Sequence, residues 1–366
     1  MKILFGTDII FGKSSGEVYH VLGVLNSWAS NSEVKVSFYT HECNIALLKN
    51  LGIDSKVNLI PFYSSIMKKG LFKKIGYFFS LRNYLKKHDF DVLYLRSTFW
   101  SKFYSFIHDS NVFYTIEYNG LLEKEMVGWK QYLIPFAKFL MKKEHSTSNL
   151  NIVVAGGIAH YYKLHDFLDN WNVIHNGMNA NDLDIIEALG EVNRNNDFIF
   201  VGNLAKWQNF DNLISFWLNN NTSLSARGVK LHIVGGGSQR DMLAKLIKEN
   251  DLENSVVLHG PLYGEEMYSL LRSCQFGLIL DERLYEGKLL FSPLKHFQYQ
   301  ACGLRTLYLS DSERIDPEGL DISIVKSSDK VNLEKLSYNN KFDSEVRTWN
   351  VVSAQLVKLI KAKVDR

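Results

Sequence analysis

Three short stretches of this chain combine glycine, serine and lysine in ways suited to holding an anion. The first is Phe11-Gly12-Lys13-Ser14-Ser15-Gly16, between an apolar strand-like segment and a helical pattern. Glycines there let backbone N–H groups approach a phosphate at a helix N-terminus. The spacing is neither GxxxxGK followed by Ser or Thr nor GxGxxG, and an ordinary strand-to-helix turn would use the same residues. The second is Val234-Gly235-Gly236-Gly237-Ser238, again at a strand-to-helix passage, where a tight turn without a ligand is the alternative. The third is Phe291-Ser292-Pro293-Leu294-Lys295. Pro293 suits the first position of a helix, so the N–H groups before it are open to a phosphate. Lys295 falls in the first turn, where the helix dipole disfavours a cation. A bound anion would offset that cost, and so would exposure to water.

Other chemistry is thinly represented. His145, His160, His165 and His175 lack metal-site spacing, and Cys43, Cys274 and Cys302 form neither a CxxC knuckle nor a disulfide framework. Three scattered cysteines fit a reducing cytosol better than secretion. GxSxG spacing occurs once, at Gly12-Lys13-Ser14-Ser15-Gly16, and is read here as the glycine loop described above. Glu123, Glu125 and Glu144 read as solvated helix charges.

The elements that must position these residues follow from pattern. At 366 residues the chain is about twice a usual domain, which suggests two domains. With 46% hydrophobic and 22% charged residues it is neither a disordered tail nor a coiled coil. Its opening run resembles a signal peptide, but Asp8 interrupts it and no A-x-A site follows, so 2–9 reads as a first strand. Further strands are expected at 34–39, 57–61, 91–96, 112–116, 151–155 and 172–174, with helices between several of them. Residues 179–196 are polar and acidic and read as a linker. The pattern then restarts, with strands at 198–201, 229–234, 255–258, 276–280 and 307–309, and helices at 238–249, 264–273, 294–301 and 345–361. Two α/β halves imply two parallel sheets and a cleft, with ligands at the carboxyl ends of the strands.

Charge is unevenly spread. Residues 1–170 hold 20 Lys and Arg against 14 Asp and Glu, and the rest holds 22 against 25. Lys56, Lys68, Lys69, Lys73, Lys74, Arg82, Lys86 and Lys87 fall in an acid-free stretch threaded by Leu71, Ile75, Phe78, Phe79, Leu81 and Leu85. The spacing suits an amphipathic helix, which either meets an anionic membrane surface through 68–87 or packs on its own domain. No apolar run reaches membrane-span length, and no nucleic-acid module is visible.

In order along the chain, these segments resemble the retaining glycosyltransferases of the GT-B fold, family 4 type (glycosyl transferases group 1). Phe200-Val201-Gly202-Asn203-Leu204 resembles the family's FVGRL, and Leu231-His232-Ile233-Val234-Gly235-Gly236-Gly237 its LxIVGxG. Val257-Leu258-His259-Gly260 with EEMYSLL at 265–271 resembles its VxFxG and eelxxLL pair. Residues 292–303, SPLKHFQYQACG, resemble the SPxK variant of a family motif. Val173-Ile174-His175-Asn176-Gly177-Met178-Asn179 resembles the VIPNGVD hinge. In the first half, DVLYLR at 91–96 and Glu117-Tyr118-Asn119-Gly120 resemble segments of some members.

The resemblance implies an α/β GT-B protein, with two Rossmann-like domains whose parallel sheets face a central cleft. It places the acceptor domain at 1–175, a linker at 176–196, the nucleotide-sugar domain at 197–344, and a last helix at 345–366 packing back on the first domain. It implies transfer of a hexose from a nucleotide-sugar to a glycan or lipid-linked acceptor, with retained configuration, no cofactor and no required metal. Such a protein is expected in the cytoplasm, with peripheral attachment to the inner membrane face. Lys295 is then the cation at the donor diphosphate, with Lys206 within reach of the same group. The backbone N–H groups of Phe291 and Ser292, ahead of Pro293, face the distal phosphate. Gln298 replaces the glutamate that binds the ribose, and its partner glutamate falls on Leu290. Asn203 and Gln208 replace the family's arginine and lysine, and Gly235 and Gly236 line the donor loop. Gly12 to Gly16 corresponds to the glycine loop near donor phosphate and acceptor. Asn119 or Glu117 stands near the place of a sugar-contacting histidine. The three lost charges also fit a catalytically silent scaffold that partners an active transferase. An epimerase of the same fold is a third possibility, less favoured by SPLKHFQYQACG.

Overall fold

The computed structural model describes residues 1–11, 16–63, 71–108, 111–121, 126, 128–280, 283–336 and 346–364. The chain divides into two compact units, one of Met1–Asn176, Leu290–Ser292 and Trp349–Arg366, the other of Gly177–Leu289 and Pro293–Thr348. Each is built on its own parallel sheet.

The first unit holds seven strands: β1 (Lys2–Gly6), β2 (Lys35–His41), β3 (Asn58–Phe62), β4 (Val92–Arg96), β5 (Phe113–Tyr118), β6 (Leu150–Val153) and β7 (Trp171–Val173), in the order β3-β2-β1-β4-β5-β6-β7. Strands such as VLYLR are buried along their whole length, as expected of a parallel sheet covered on both faces. The order reverses between β1 and β4, so the carboxyl ends of these two strands open the natural ligand crevice of the sheet. The helix Gly16–Ala29 follows β1, and the C-terminal helix Trp349–Val364 packs against it. Trp349 lies edge-on to His20 with ring centroids 4.8 Å apart, and a Cβ at Gly23 would enter the Trp349 ring.

The second unit has six parallel strands: β8 (Phe198–Val201), β9 (Leu231–Val234), β10 (Val256–Gly260), β11 (Phe276–Ile279), β14 (Arg305–Leu309) and β15 (Ile322–Val325), ordered β10-β9-β8-β11-β14-β15. The two-residue strands β12 (Leu284–Tyr285) and β13 (Lys288–Leu289) form a separate hairpin. Phe198, Phe200, Phe210, Phe216, Trp217 and Phe276 dominate the core under this sheet. Here the order reverses between β8 and β11.

Most expected elements appear within a few residues, and 198–201, 264–273 and 294–301 coincide with observed ones. The segment 179–196 differs, because it folds into the second unit instead of linking two bodies. Its helix Ala180–Ala188 packs on Gly264–Ser273, and Arg272 Nη1 donates to Ile186 O at 2.8 Å. Arg194 donates to the carbonyls of Cys302 and Gly303 at the C-terminus of Leu294–Ala301, where a cation complements the exposed carbonyl dipoles. Acidic composition suggested a linker; Ile186, wholly buried, supplies the apolar anchor. The helices Ile134–Thr147 and Gly156–Lys163, and strand β15, were not expected. Among the described residues no helix is long and apolar enough to cross a membrane.

Candidate functional site

In the second unit the polypeptide turns sharply after β8 and after β9, and the two turns interlock. Gly202 N donates to Val234 O at 3.0 Å, and Leu204 N to Gly236 O at 2.9 Å. Gly202, Gly235 and Gly237 have φ of 152°, 142° and 153°, which L side chains rarely adopt. A Cβ at Gly235 would run into the Gly202 carbonyl, so both conformation and space demand glycine. The turn reading and the ligand reading of this loop are therefore compatible. Gly235→Ala should lower the stability of this unit by at least ~1–3 kcal/mol through backbone strain alone. Thermal unfolding checks it, and an unchanged melting temperature would show that the loop relaxes at no cost.

Lys295 reaches this turn from the first turn of Leu294–Ala301. Its Nζ sits 4.0 Å from the centroid of the Phe200 ring, and a Cβ on Gly202 would lie 3.2 Å from it. The ammonium is thus held at the carboxyl end of β8, half-buried against an aromatic face. Asn203 lies in the same turn, with Oδ1 over Gly237. Lys206 follows in the same connection and is exposed. Gln208 is buried, its N–H bonded to Ala205 O at 3.0 Å and its Oε1 without a hydrogen-bond partner. A buried, unpaired amide oxygen costs roughly 1–3 kcal/mol and would accept from an added donor. Gly236 has open space over its Cα. Gln298, one turn beyond Lys295, donates from Nε2 to Tyr268 Oη at 3.2 Å. The structure thus brings Lys295, Gly202, Asn203, Gly235 and Gly236 to one end of the sheet.

Pro293 differs from expectation: it is the residue before the helix, at φ −74° and ψ 101°, and not the first helical position. Phe291 and Ser292 belong with the first unit and are buried there. Asn176 N donates to Ser292 Oγ at 2.9 Å, and Asn176 Nδ2 to Ser292 O at 3.1 Å. Beyond the N–H expected of it, Ser292 anchors Asn176 through its hydroxyl and its carbonyl.

In the first unit Gly16 opens its helix, while Gly12 lies outside the described residues, as do Lys68, Lys69, Glu123 and Glu125. Glu117 is the penultimate residue of β5, and Asn119 directly follows the strand. Glu117 is 3% exposed, so it is no open catalytic group. Its Oε1 pairs with His20 Nε2 at 3.0 Å and accepts from Asn119 Nδ2, and its Oε2 accepts from the Tyr94 hydroxyl. Burial alone would raise its pKa, but His20, then Arg96 and Tyr94, outweigh it and hold the carboxyl down to about 2. A carboxylate so stabilised is a poor proton acceptor and acts as a fixed internal anion. Asn119, half-buried, is the part of the pair placed nearer solvent.

A second buried network sits near the reversal point. Thr98, after β4, donates to Asp8 Oδ1 at 2.7 Å, and burial raises the Asp8 pKa. Lys102 Nζ donates to Ser97 Oγ and Thr98 O, both at 2.9 Å, and lies 3.6 Å from Glu144 Oε2. Glu144, read from sequence as a solvated charge, is fully buried and accepts from Ser101 Oγ at 2.9 Å. No sequence signal exposed this network beyond the position of Asp8 at the end of a strand. Among the described residues no group of three or more His, Cys, Asp or Glu could hold a metal ion.

Residues 181–283 match the family model of glycosyl transferases group 1. The match starts inside the helix Ala180–Ala188 and stops short of Lys295. No curated protein matches the chain. Among solved structures it resembles a glycosyltransferase from Rickettsia africae, with 12% identity, TM-score 0.67, and 100% of this chain and 99% of that one covered. It also resembles Anabaena HepE in complex with UDP and glucose, with 14% identity, TM-score 0.63, and 99% and 100% covered. A third is the sucrose-phosphate synthase of Thermosynechococcus elongatus, with 13% identity, TM-score 0.66, and 99% and 98% covered. At these identities the likenesses establish the fold, which is GT-B, with one Rossmann-like parallel sheet per unit.

Proposed function

Taking 181–283 as the core of a group 1 glycosyltransferase, we propose that this chain moves a hexose from a nucleotide-sugar to a glycan or lipid-linked acceptor, retaining the anomeric configuration, in the synthesis of a surface polysaccharide. The observation that carries the reading is Lys295, whose ammonium is fixed over Phe200 beside Gly202, at the carboxyl end of β8 next to the sheet's reversal point. Breaking the bond between the anomeric carbon and the diphosphate oxygen leaves the electron pair on the departing phosphate. A preorganised cation at that oxygen stabilises the charge as it develops. Lys206, in the connection after β8, is the second cation of the reading. Gly235 and Gly236 give the backbone room to approach the diphosphate, and Asn203 and Gln208 add neutral polar contacts in place of charged ones. With positive charge supplied by side chains, the reaction needs no metal. Asn119 is the proposed polar contact to the acceptor in the first unit. The complexes of HepE with UDP and UDP-glucose support a nucleotide-sugar as the donor class. The basic stretch 68–87 supports work against the inner face of a membrane, where a lipid-linked acceptor resides.

The test is calorimetry and turnover with purified protein and a panel of UDP-, GDP- and dTDP-sugars. Binding and slow hydrolysis of at least one of them are expected. Silence towards all, with co-purification of another transferase, would replace the enzyme by a scaffold.

A further inference from the structure

The first unit carries a groove of about 280 Å³ whose lining is entirely apolar. The helix Leu71–Leu85 contributes Phe78 and Phe79, the short 3-10 helix Ser101–Phe106 contributes Phe103 and Phe106, and the helix Ile134–Thr147 contributes Phe136 and Phe139. Phe79, Phe106, Phe136 and Phe139 are 50%, 51%, 46% and 59% exposed, and Tyr132, just before the third element, is 88% exposed. Large rings clustered in water mark an interaction surface.

Charge identifies the partner. The three elements carry a single carboxylate, Glu144, and it is buried beside Lys102. Lys143 is exposed one helical turn from Phe139 and Leu140, on the face that lines the groove. Arg82 stands one turn after Phe78 and Phe79, and the exposed Lys86 and Lys87 follow. Lys138 and Lys142 instead lean over the rings of Tyr161 and Phe167, at 5.8 and 5.6 Å. A ring-lined apolar groove bordered by cations, whose three elements carry no exposed acid among the described residues, complements a surface that is anionic outside and hydrocarbon beneath.

We propose that this three-element face docks on an anionic lipid bilayer, its exposed Phe79, Phe106, Phe136 and Phe139 entering the boundary between headgroups and acyl chains and its lysines meeting the headgroups. The inference deepens, and rests on, the membrane part of the reading above. It moves the contact from one basic helix to a groove shared by three elements, because Phe78, Leu81 and Leu85 of that helix are buried in the protein itself.

The experiment is co-sedimentation of the full chain with phosphatidylcholine vesicles, with and without phosphatidylglycerol, at low and high salt. The parent should pellet with the anionic vesicles and retain part of that binding at high salt. Phe136→Ser with Phe139→Ser should cost about tenfold in partition per ring at both salts, as should Phe106→Ser from a second element. Lys86→Gln, Lys87→Gln and Lys143→Gln should each cost about fivefold at low salt and little at high salt. Circular dichroism confirms that the variants fold. Parent protein that stays in solution, ring variants that pellet like the parent, or ring variants that instead dissolve a dimer in sedimentation velocity would each overturn the proposal. Hydrolysis of soluble nucleotide-sugar without vesicles is read in parallel. Its absence would remove the transferase reading and leave the vesicle result standing.

Discussion

Lys295→Ala lowers turnover of the nucleotide-sugar by about tenfold to a thousandfold, the range seen when one charge-stabilising donor is removed from a site. The loss falls mainly on kcat, because the diphosphate gains charge as the bond to the sugar breaks and the ammonium matters most at that point. Lys295→Arg is the informative companion. Its planar guanidinium cannot sit over the Phe200 ring and beside the Gly202 backbone with the same point-like geometry, so rescue should be partial. The fold should tolerate both changes, since the side chain is half-buried and crosses no core. Steady-state kinetics on the best donor of the panel decide the matter. Unchanged kcat for Lys295→Ala would remove this residue from the site and leave the charge to Lys206.

The second large effect is on stability. Glu117→Ala leaves His20 and the Tyr94 hydroxyl buried without their acceptor, beside the Arg96 guanidinium, and removing one partner of a buried ion pair costs about 3–5 kcal/mol. The same group sets an acid limit. Its carboxyl lies at about 2 in the folded chain against an ordinary 4.5. The folded value is depressed, so the unfolded chain binds the proton more readily and the stabilisation is complete above the unfolded value. It drains away as pH falls from about 4.5 towards about 2. Urea denaturation across that window should show stability falling with acid in the parent and a flatter profile in Glu117→Gln. Equal slopes would mean that another carboxylate carries the acid sensitivity. Because Glu117 joins β5 to the helix Gly16–Ala29 and, through His20, to Trp349, the loss should also loosen the C-terminal helix.

The contrast between Lys295 and Glu117 shows what was legible in the order of residues. The placement of Lys295 beside the glycine turns is legible because the features around it are local: an SP pair, a helix start, and two glycine turns at strand ends. Glu117 stood out as a carboxylate after a strand, but it was assigned to the reaction. Its partner, His20, is far away in sequence, in the helix that follows β1. Glu144 looks like a solvated charge in the sequence for the same reason, since neither Lys102 nor Ser101 is its neighbour in the chain. The polar stretch at 179–196 looked like a linker, while its anchoring contacts come from Arg272, Cys302 and Gly303, over a hundred residues on for Arg194 and some eighty for Ile186.

By itself, the order of residues pointed to two parallel sheets, to most strands and helices of the second unit within a few residues, with β15 and the helix Ala180–Ala188 as exceptions, and to glycine turns at two strand ends. All of these depend on periodicity and backbone sterics acting over a few positions. Only the tertiary structure decided which charges stay open to solvent and which are buried and paired. That choice is made by burial and by partners brought together from distant segments, and no local pattern encodes it.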